Sequence, residues 1–436
     1  MLGFDRRSLF VVALMGLGLA LRLGLAAREG LDSAPQFCTD QYEYDNYAWN
    51  LAQGLGYRGI SPDVADPNHL TAYRPPGTSL LWAGIYRVVG HRYAAVRVFN
   101  CLLGAAAVGL VYLLGRRAFN GTTGLIAAAA YAVYPTALLY AGDMLSEPLA
   151  TFCFLIYLIA SLRLAERPTW GGAAWAAFWI GYAMLTRPAF MFMLPLAALW
   201  AAWQFRDRPR ALAVALAVPA LSVAVLVPWA ARNYRVFHTF IPFSTMGGSV
   251  LLQGNNRIVS EDPRFRGYSV WDTDLDEYRD ALRSAGDEVE RDRLAGRFAV
   301  QWILAHRDLW PSMAWAKLER AWTPFLQPES PRLYRLGMLL SWGPVLAVLA
   351  VAFPATLYDA LRDRDPYWLI HLGIFTYVIT SVIFFGNSRY RYPVEPLCLI
   401  LAARAVDYVM GGSDRPERPA ATDSGRPEPE AAGVAN

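Results

Sequence analysis

The sequence predicts an all-α polytopic membrane protein with external amphipathic helices, of about ten spans, or eleven if the stretch 77–89 also crosses. Three observations predict it. Hydrophobic residues make up 55% of the 436-residue chain and charged residues only 17%. Apolar runs of about 20 residues, enough to cross a hydrocarbon core, recur along most of its length. Helices satisfy their own backbone in lipid, so such runs are read as helices. Finally, arginine clusters fall on alternate connections, as the positive-inside rule requires.

The runs are 9–27, 94–114, 125–140, 148–164, 172–185, 189–205, 211–230, 336–358, 367–385 and 394–410. The first follows Arg6 and Arg7 and lacks a small-x-small cleavage site, so it is expected as an uncleaved span. With the N-terminus inside, Arg116 and Arg117, Arg163 and Arg167, Arg206, Arg208 and Arg210, and Arg362 and Arg364 all fall inside. That agreement needs 77–89 not to cross. The run is short and broken by Arg87, and is expected to dip into the outer leaflet. Together 1–410 form the membrane domain. The tail 411–436, rich in Pro, Glu, Ala and Arg, reads as disordered and cytoplasmic.

The net charge of +4 is modest and points to no nucleic-acid partner. Lys317 is the sole lysine, a bias consistent with GC-rich bacterial coding. Cys38, Cys101, Cys153 and Cys398 have no metal spacing and imply no disulfide framework.

The external loops are 28–93, 141–147 and 231–335, with a short piece, "FGNSRYRYPVEP", before the last span. A loop as long as 231–335 needs structure of its own. Within it, apolar and charged positions alternate at helical spacing around Trp302, Trp310, Trp315 and Trp322, which suits either the membrane interface or a cap on the bundle. The acidic run Asp272, Asp274 and Asp276 lacks the glycine of a calcium loop and reads as solvated.

Charge near lipid is not placed freely. Asp40, Tyr44, Ala48, Leu51 and Leu55 share one helical face, and Gly54 and Gly56 end that helix. Asp40 thus begins an amphipathic helix, whose N-terminus favours its ionised form by about 0.3–1 kcal/mol. A simple N-cap role is the alternative. Glu43 and Asp45 are expected to point elsewhere, into solvent. In "TAYRPPG" the prolines fix an extended approach and leave Arg74 at the lipid surface, to snorkel or to bind a phosphate. Asp143, Glu147, Arg187, Arg232, Asn233, Arg389 and Arg391 fall on other external edges. With facing carboxylates, these arginines suggest an outward site for an anionic, lipid-borne ligand. His69 and His238 read as surface or packing residues.

Several motifs, in this order and spacing, resemble the bacterial membrane glycosyltransferases of the GT-C fold. The chain is similar to family 39, the relatives of protein mannosyltransferases and aminoarabinose transferases. The motifs are Asp40-x3-Tyr44-x3-Ala48-x2-Leu51-x2-Gly54, "YRPPG", "MLSEP", "LTRP", "ARNYRVFHTFIPFSTMGG" with "QGNN", and "RYRYPVEP". The resemblance implies inverting sugar transfer from a polyprenyl-phosphate donor to a glycan, lipid or protein acceptor, at the outer face of the cytoplasmic membrane. The family's first-loop aspartate, the expected base, maps onto Asp40. Its second-loop acidic residue maps onto Glu147, expected to position the acceptor or a metal, and its basic residue ahead of proline maps onto Arg74, expected at the donor phosphate. Arg187, Arg232 and Arg391 are further phosphate candidates, and Tyr44, Asp143 and Asn233 are acceptor or sugar candidates. No cofactor is fixed, and a divalent metal ion stays open. Some relatives carry a carboxylate before the basic residue, where this chain has Tyr73.

The chemistry fits independently. A base must take the acceptor proton, and cations must meet charge developing on the leaving phosphate oxygen. The alternative function is transport or flipping of a lipid-linked sugar, which calls for mid-membrane polar residues and an internal repeat; neither is evident.

Overall fold

The computed structural model describes residues 6–60, 66–324 and 332–412, and among them the chain is helical with no strand. The expected tail lies almost wholly outside the described residues. Helices α1 (Arg6–Glu29), α2 (Asp40–Ala52), α3 (Gly77–Val89) and α4 (Tyr93–Ala118) come first. At 13 residues, α3 reaches only about 20 Å, short of the ~30 Å hydrocarbon core. It packs along α2 through Tyr44, Ala48, Trp82, Ala83 and Tyr86.

The expected span 125–140 is interrupted. Helix α5 (Gly121–Ala132) stops, and α6 (Pro135–Leu139) restarts after two residues. Pro135 has no N–H and disfavours helix at the preceding residue. The carbonyls freed by the break must find donors away from water. Arg22 supplies them from α1, reaching Ala132 O at 3.3 Å and Tyr131 O at 3.5 Å, with Gly18 O at 2.9 Å. A side chain at Gly104 would collide with that arginine. Arg22 thus caps the negative end of a helix.

Then follow α7 (Glu147–Glu166), α8 (Trp170–Thr186), α9 (Met193–Gln204) and α10 (Pro209–Phe237). Beyond α10, five helices build the long loop: α11 (Gly247–Gln253), α12 (Arg257–Glu261), α13 (Asp276–Arg283), α14 (Glu288–Ala305) and α15 (Trp310–Trp322). They share a small core of their own that includes Leu252, Val259, Leu275, Leu282 and Met313. Trp310 and Trp315 stand exposed, whereas Trp302 is buried. Asp272 is buried against Arg291 at 3.1 Å, while Asp274 and Asp276 face solvent. The chain ends with α16 (Arg332–Arg362), α17 (Leu369–Ile383) and α18 (Glu395–Val409).

Among the described residues, six helices are long and apolar enough to cross a membrane: α1, α4, α7, α10, α16, and α17 with the turn before it. The other expected spans fall on the shorter helices α5 with α6, α8, α9 and α18. One end of the bundle gathers the arginine clusters, where Arg117 pairs with Glu166 at 3.0 Å and Arg364 with Asp207 at 2.9 Å. The opposite end carries α2, α3 and the α11–α15 unit.

Candidate active site

Thr39 caps α2, its Oγ1 accepting the Tyr42 amide at 3.4 Å. Asp40 is therefore the first helical residue and not the cap. Arg74 Nη2 donates to its Oδ1 at 2.6 Å, and Arg389 Nη2 reaches its Oδ2 at 2.9 Å. Burial on its own raises the carboxyl's pKa, but the Arg74 and Arg389 charges overcome it and hold Asp40 well below the usual carboxylate range.

Glu43 and Asp45, expected in solvent, are both buried. The reason is that α3 and the proline-rich loop cover the faces of α2 that would otherwise be wet. Glu43 accepts from Arg74 Nε at 2.5 Å. Asp45 accepts from the Tyr86 hydroxyl and pairs with His91 Nε2 at 3.1 Å, which fastens α2 to α3.

Glu147 begins α7, fully buried, at the helix end that favours a carboxylate. Arg187, just past α8, donates to it at 3.0 Å and to Ser146 Oγ at 3.3 Å. The Arg187 guanidinium also stacks 4.8 Å from the centre of the Tyr390 ring. Arg389 Nε completes the cluster on Glu147 at 2.5 Å. Three carboxylates, Asp40, Glu43 and Glu147, thus alternate with three guanidiniums, Arg74, Arg187 and Arg389.

A cavity of about 310 Å³ opens on this cluster. Asp40, Tyr44, Arg74, Ser146 and Arg187 line its polar end. Its remaining wall is largely apolar and aromatic and includes Phe190, Met191, Phe192, Phe243, Phe384 and Phe385.

Other expected site residues lie elsewhere. Arg391 is fully buried, donates to Glu395 at 2.9 Å and to Ala321 O at 2.8 Å, and sits 3.9 Å over the Trp342 ring. It ties α18 to α15 and does not reach the cavity. Arg232 donates to the carbonyls of Thr71 and Tyr57, each at 2.7 Å. Tyr57 in turn donates to Arg74 O at 2.9 Å, so Arg232 braces the Arg74 loop from behind. Asn233, wholly buried, donates to Ile241 O at 2.9 Å. Asp143 stands beside the cluster, 3.5 Å from Gln41 Nε2, and burial with the nearby Glu29 charge pushes its pKa up to about 6.

Arg389 shares the motif "RYRYPVEP" with Arg391, which the resemblance offers as a phosphate candidate, yet it is Arg389 that reaches Asp40 and Glu147. Both belong to the tight turn Ser388–Val394. Positions three apart eclipse in such a turn, while positions two apart face different ways. A divalent ion does not fit this donor set. Among the described residues no three His, Cys, Asp or Glu side chains are arranged to hold a metal ion, and in this arrangement Arg389 occupies the space between Asp40 and Glu147.

Residues 73–231 match the family model for dolichyl-phosphate-mannose-protein mannosyltransferase. That segment holds Arg74, Glu147 and Arg187, but not Asp40 or Arg389. No curated protein sequence matches the chain. Among solved structures, the archaeal oligosaccharyltransferase AglB from Archaeoglobus fulgidus, in complex with an inhibitory peptide and a dolichol-phosphate, aligns at 15% identity and a TM-score of 0.54. The alignment covers 92% of this chain and 50% of that one. Its apo form aligns at 16% identity and a TM-score of 0.56, again over 92% and 50%. ArnT from Cupriavidus metallidurans bound to undecaprenyl phosphate aligns at 15% identity and a TM-score of 0.43, over 91% and 77%. The chain spans about half the length of the oligosaccharyltransferase. The chain has the GT-C fold of membrane glycosyltransferases, and its stretch from Tyr73 to Ala231 is similar to the dolichyl-phosphate-mannose-protein mannosyltransferase family.

Proposed function

We propose that this chain is an inverting glycosyltransferase that moves a sugar from a polyprenyl-phosphate donor to an acceptor hydroxyl at the outer face of the cytoplasmic membrane. One observation carries the reading. The same cavity joins an apolar, aromatic wall to a carboxylate set among guanidiniums. An amphiphile fits such a space, with its chain along Phe190, Met191 and Phe192 and its phosphate at the arginines.

Asp40 is the base that takes the acceptor proton. Arg187 is the phosphate ligand, since it lines the cavity while anchored by Glu147. Arg74 has its Nε and Nη2 committed to Glu43 and Asp40, so it orients the base. Tyr44 flanks the sugar. The leaving phosphate departs as an anion, so no partner acid is needed, unlike in glycoside hydrolysis. Transport gains no support, because these charges gather at one end of the bundle.

The test is to supply membranes containing the chain with radiolabelled polyprenyl-phosphate sugars and to follow free polyprenyl phosphate. Chain-dependent release from one sugar supports transfer. Label crossing sealed vesicles intact, without release, would move transport to the front.

A further inference from the structure

We propose, resting on the transferase reading above, that Arg389 is a movable catalytic residue that masks Asp40 in the resting site and moves to the phosphate when a donor binds. Arg389 bridges two carboxylates, Asp40 at 2.9 Å and Glu147 at 2.5 Å. If it leaves, neither is stranded. Asp40 keeps Arg74 at 2.6 Å and Glu147 keeps Arg187 at 3.0 Å. Arg74 is held in place by the buried Glu43 as well as by Asp40, and breaking a buried pair is costly. Arg187 need not move, since it already faces the cavity. Exposure agrees: the Arg389 side chain is 25% accessible, against 12% for Arg74 and 17% for Arg187.

Charge balance gives the motion a consequence. Three carboxylates face three guanidiniums, so the cluster is neutral as it stands. A phosphodiester monoanion makes it net negative and draws one cation away from Asp40. Both changes raise the proton affinity of that carboxylate. The base is thus strengthened only when the leaving group is present. In the step itself, the acceptor oxygen bonds to the anomeric carbon as the bond from that carbon to the phosphate oxygen breaks. The electron pair leaves on the phosphate, where Arg389 meets it, and the acceptor proton passes to Asp40.

The groups that set the Asp40 environment are Glu43 and Tyr44 on its own helix and Arg74 on the proline-rich loop. Glu147 begins α7, Arg187 follows α8, Arg389 and Tyr390 come from the last external loop, and Asp143 stands behind Gln41.

The experiment measures polyprenyl phosphate release against pH, in proteoliposomes, for wild type, Arg389→Gln and Arg389→Lys. The pH profile of kcat/KM reports the free enzyme and that of kcat the donor complex. Wild type is expected to show an acid limb in kcat that is absent from kcat/KM. Arg389→Gln should show the limb in both and lose roughly 10²-fold or more in kcat, while Arg389→Lys recovers part of that rate. Identical wild-type profiles for kcat and kcat/KM would overturn the proposal without any variant. So would Arg389→Gln working at the wild-type rate. Wild type releasing nothing from any donor sinks the transferase reading itself, and this proposal with it.

Discussion

Glu288 accepts the backbone N–H of Ala72 at 2.7 Å, two residues before Arg74. The same buried carboxylate accepts from Thr71 Oγ1 at 2.8 Å and Thr245 Oγ1 at 3.0 Å, and meets His69 Nε2 at 3.2 Å. Thr245 also donates its amide to Ala72 O at 3.0 Å, beside the cavity residues Ser244 and Met246. One side chain from α14 thus fixes the Arg74 loop and part of the cavity wall together. Its hydrogen bond to His69 raises that pKa above the ordinary 6.5, against burial. A raised histidine contributes stability that is complete below about pH 6.5 and is lost as pH rises through the folded-state value. Thermal unfolding in detergent should show that loss in wild type and its absence in His69→Gln. Glu288→Gln should lower kcat about tenfold or more by misplacing Arg74.

Arg187 and Arg391 should separate by the kind of damage each causes. Arg391→Gln leaves Glu395 buried without its partner, a loss of about 3–5 kcal/mol, read as a lower Tm with donor KM unchanged in the surviving protein. Arg187→Gln should raise donor KM by about tenfold, the loss of one charge-assisted hydrogen bond to phosphate, with a smaller change in Tm.

The difference between these arginines marks where the sequence stops being legible. The acidic helix at Asp40 could be read from its three- and four-residue steps, and its start agrees with the structure. The short reach of α3 was legible from the length of its apolar run. Arg389 and Arg391 were not separable, since the tight turn that points one at Asp40 and the other at Glu395 leaves no apolar periodicity. The burial of Glu43 is not legible from its own helix, because it depends on a loop arriving from 31 residues away. The sequence reading takes 125–140 as unbroken although Pro135 lies inside it, and the arginine that makes the break at Val133 tolerable comes from α1, 110 residues from Ala132.

That break gives a further prediction. Arg22→Met keeps an unbranched side chain of similar length but removes the side-chain donor to Ala132 O, while Tyr131 O keeps the Tyr134 amide at 3.3 Å. A buried carbonyl left unmet costs about 1–3 kcal/mol. The variant should unfold at a lower temperature while keeping its donor KM.

Asp143 should act in the opposite direction on stability. Its carboxyl is raised from 3.8 to about 6, so the folded state holds the proton more tightly and stability falls as pH rises between those values. The resulting penalty is complete above about pH 6. Asp143→Asn should remove it and stabilise the protein at pH 7.5 by about 1 kcal/mol, a figure discounted for partial exposure. Unfolding temperatures at pH 4 and pH 7.5 for both proteins give the check.

The most direct test of Asp40 as the base among the guanidiniums is single-turnover release of polyprenyl phosphate by purified, reconstituted protein, wild type against Asp40→Asn, at equal folded amounts. Asparagine keeps the size and cannot take the proton, so a loss of roughly 10²–10⁴-fold with donor binding retained is the predicted result. Release by Asp40→Asn at a rate near wild type would contradict it.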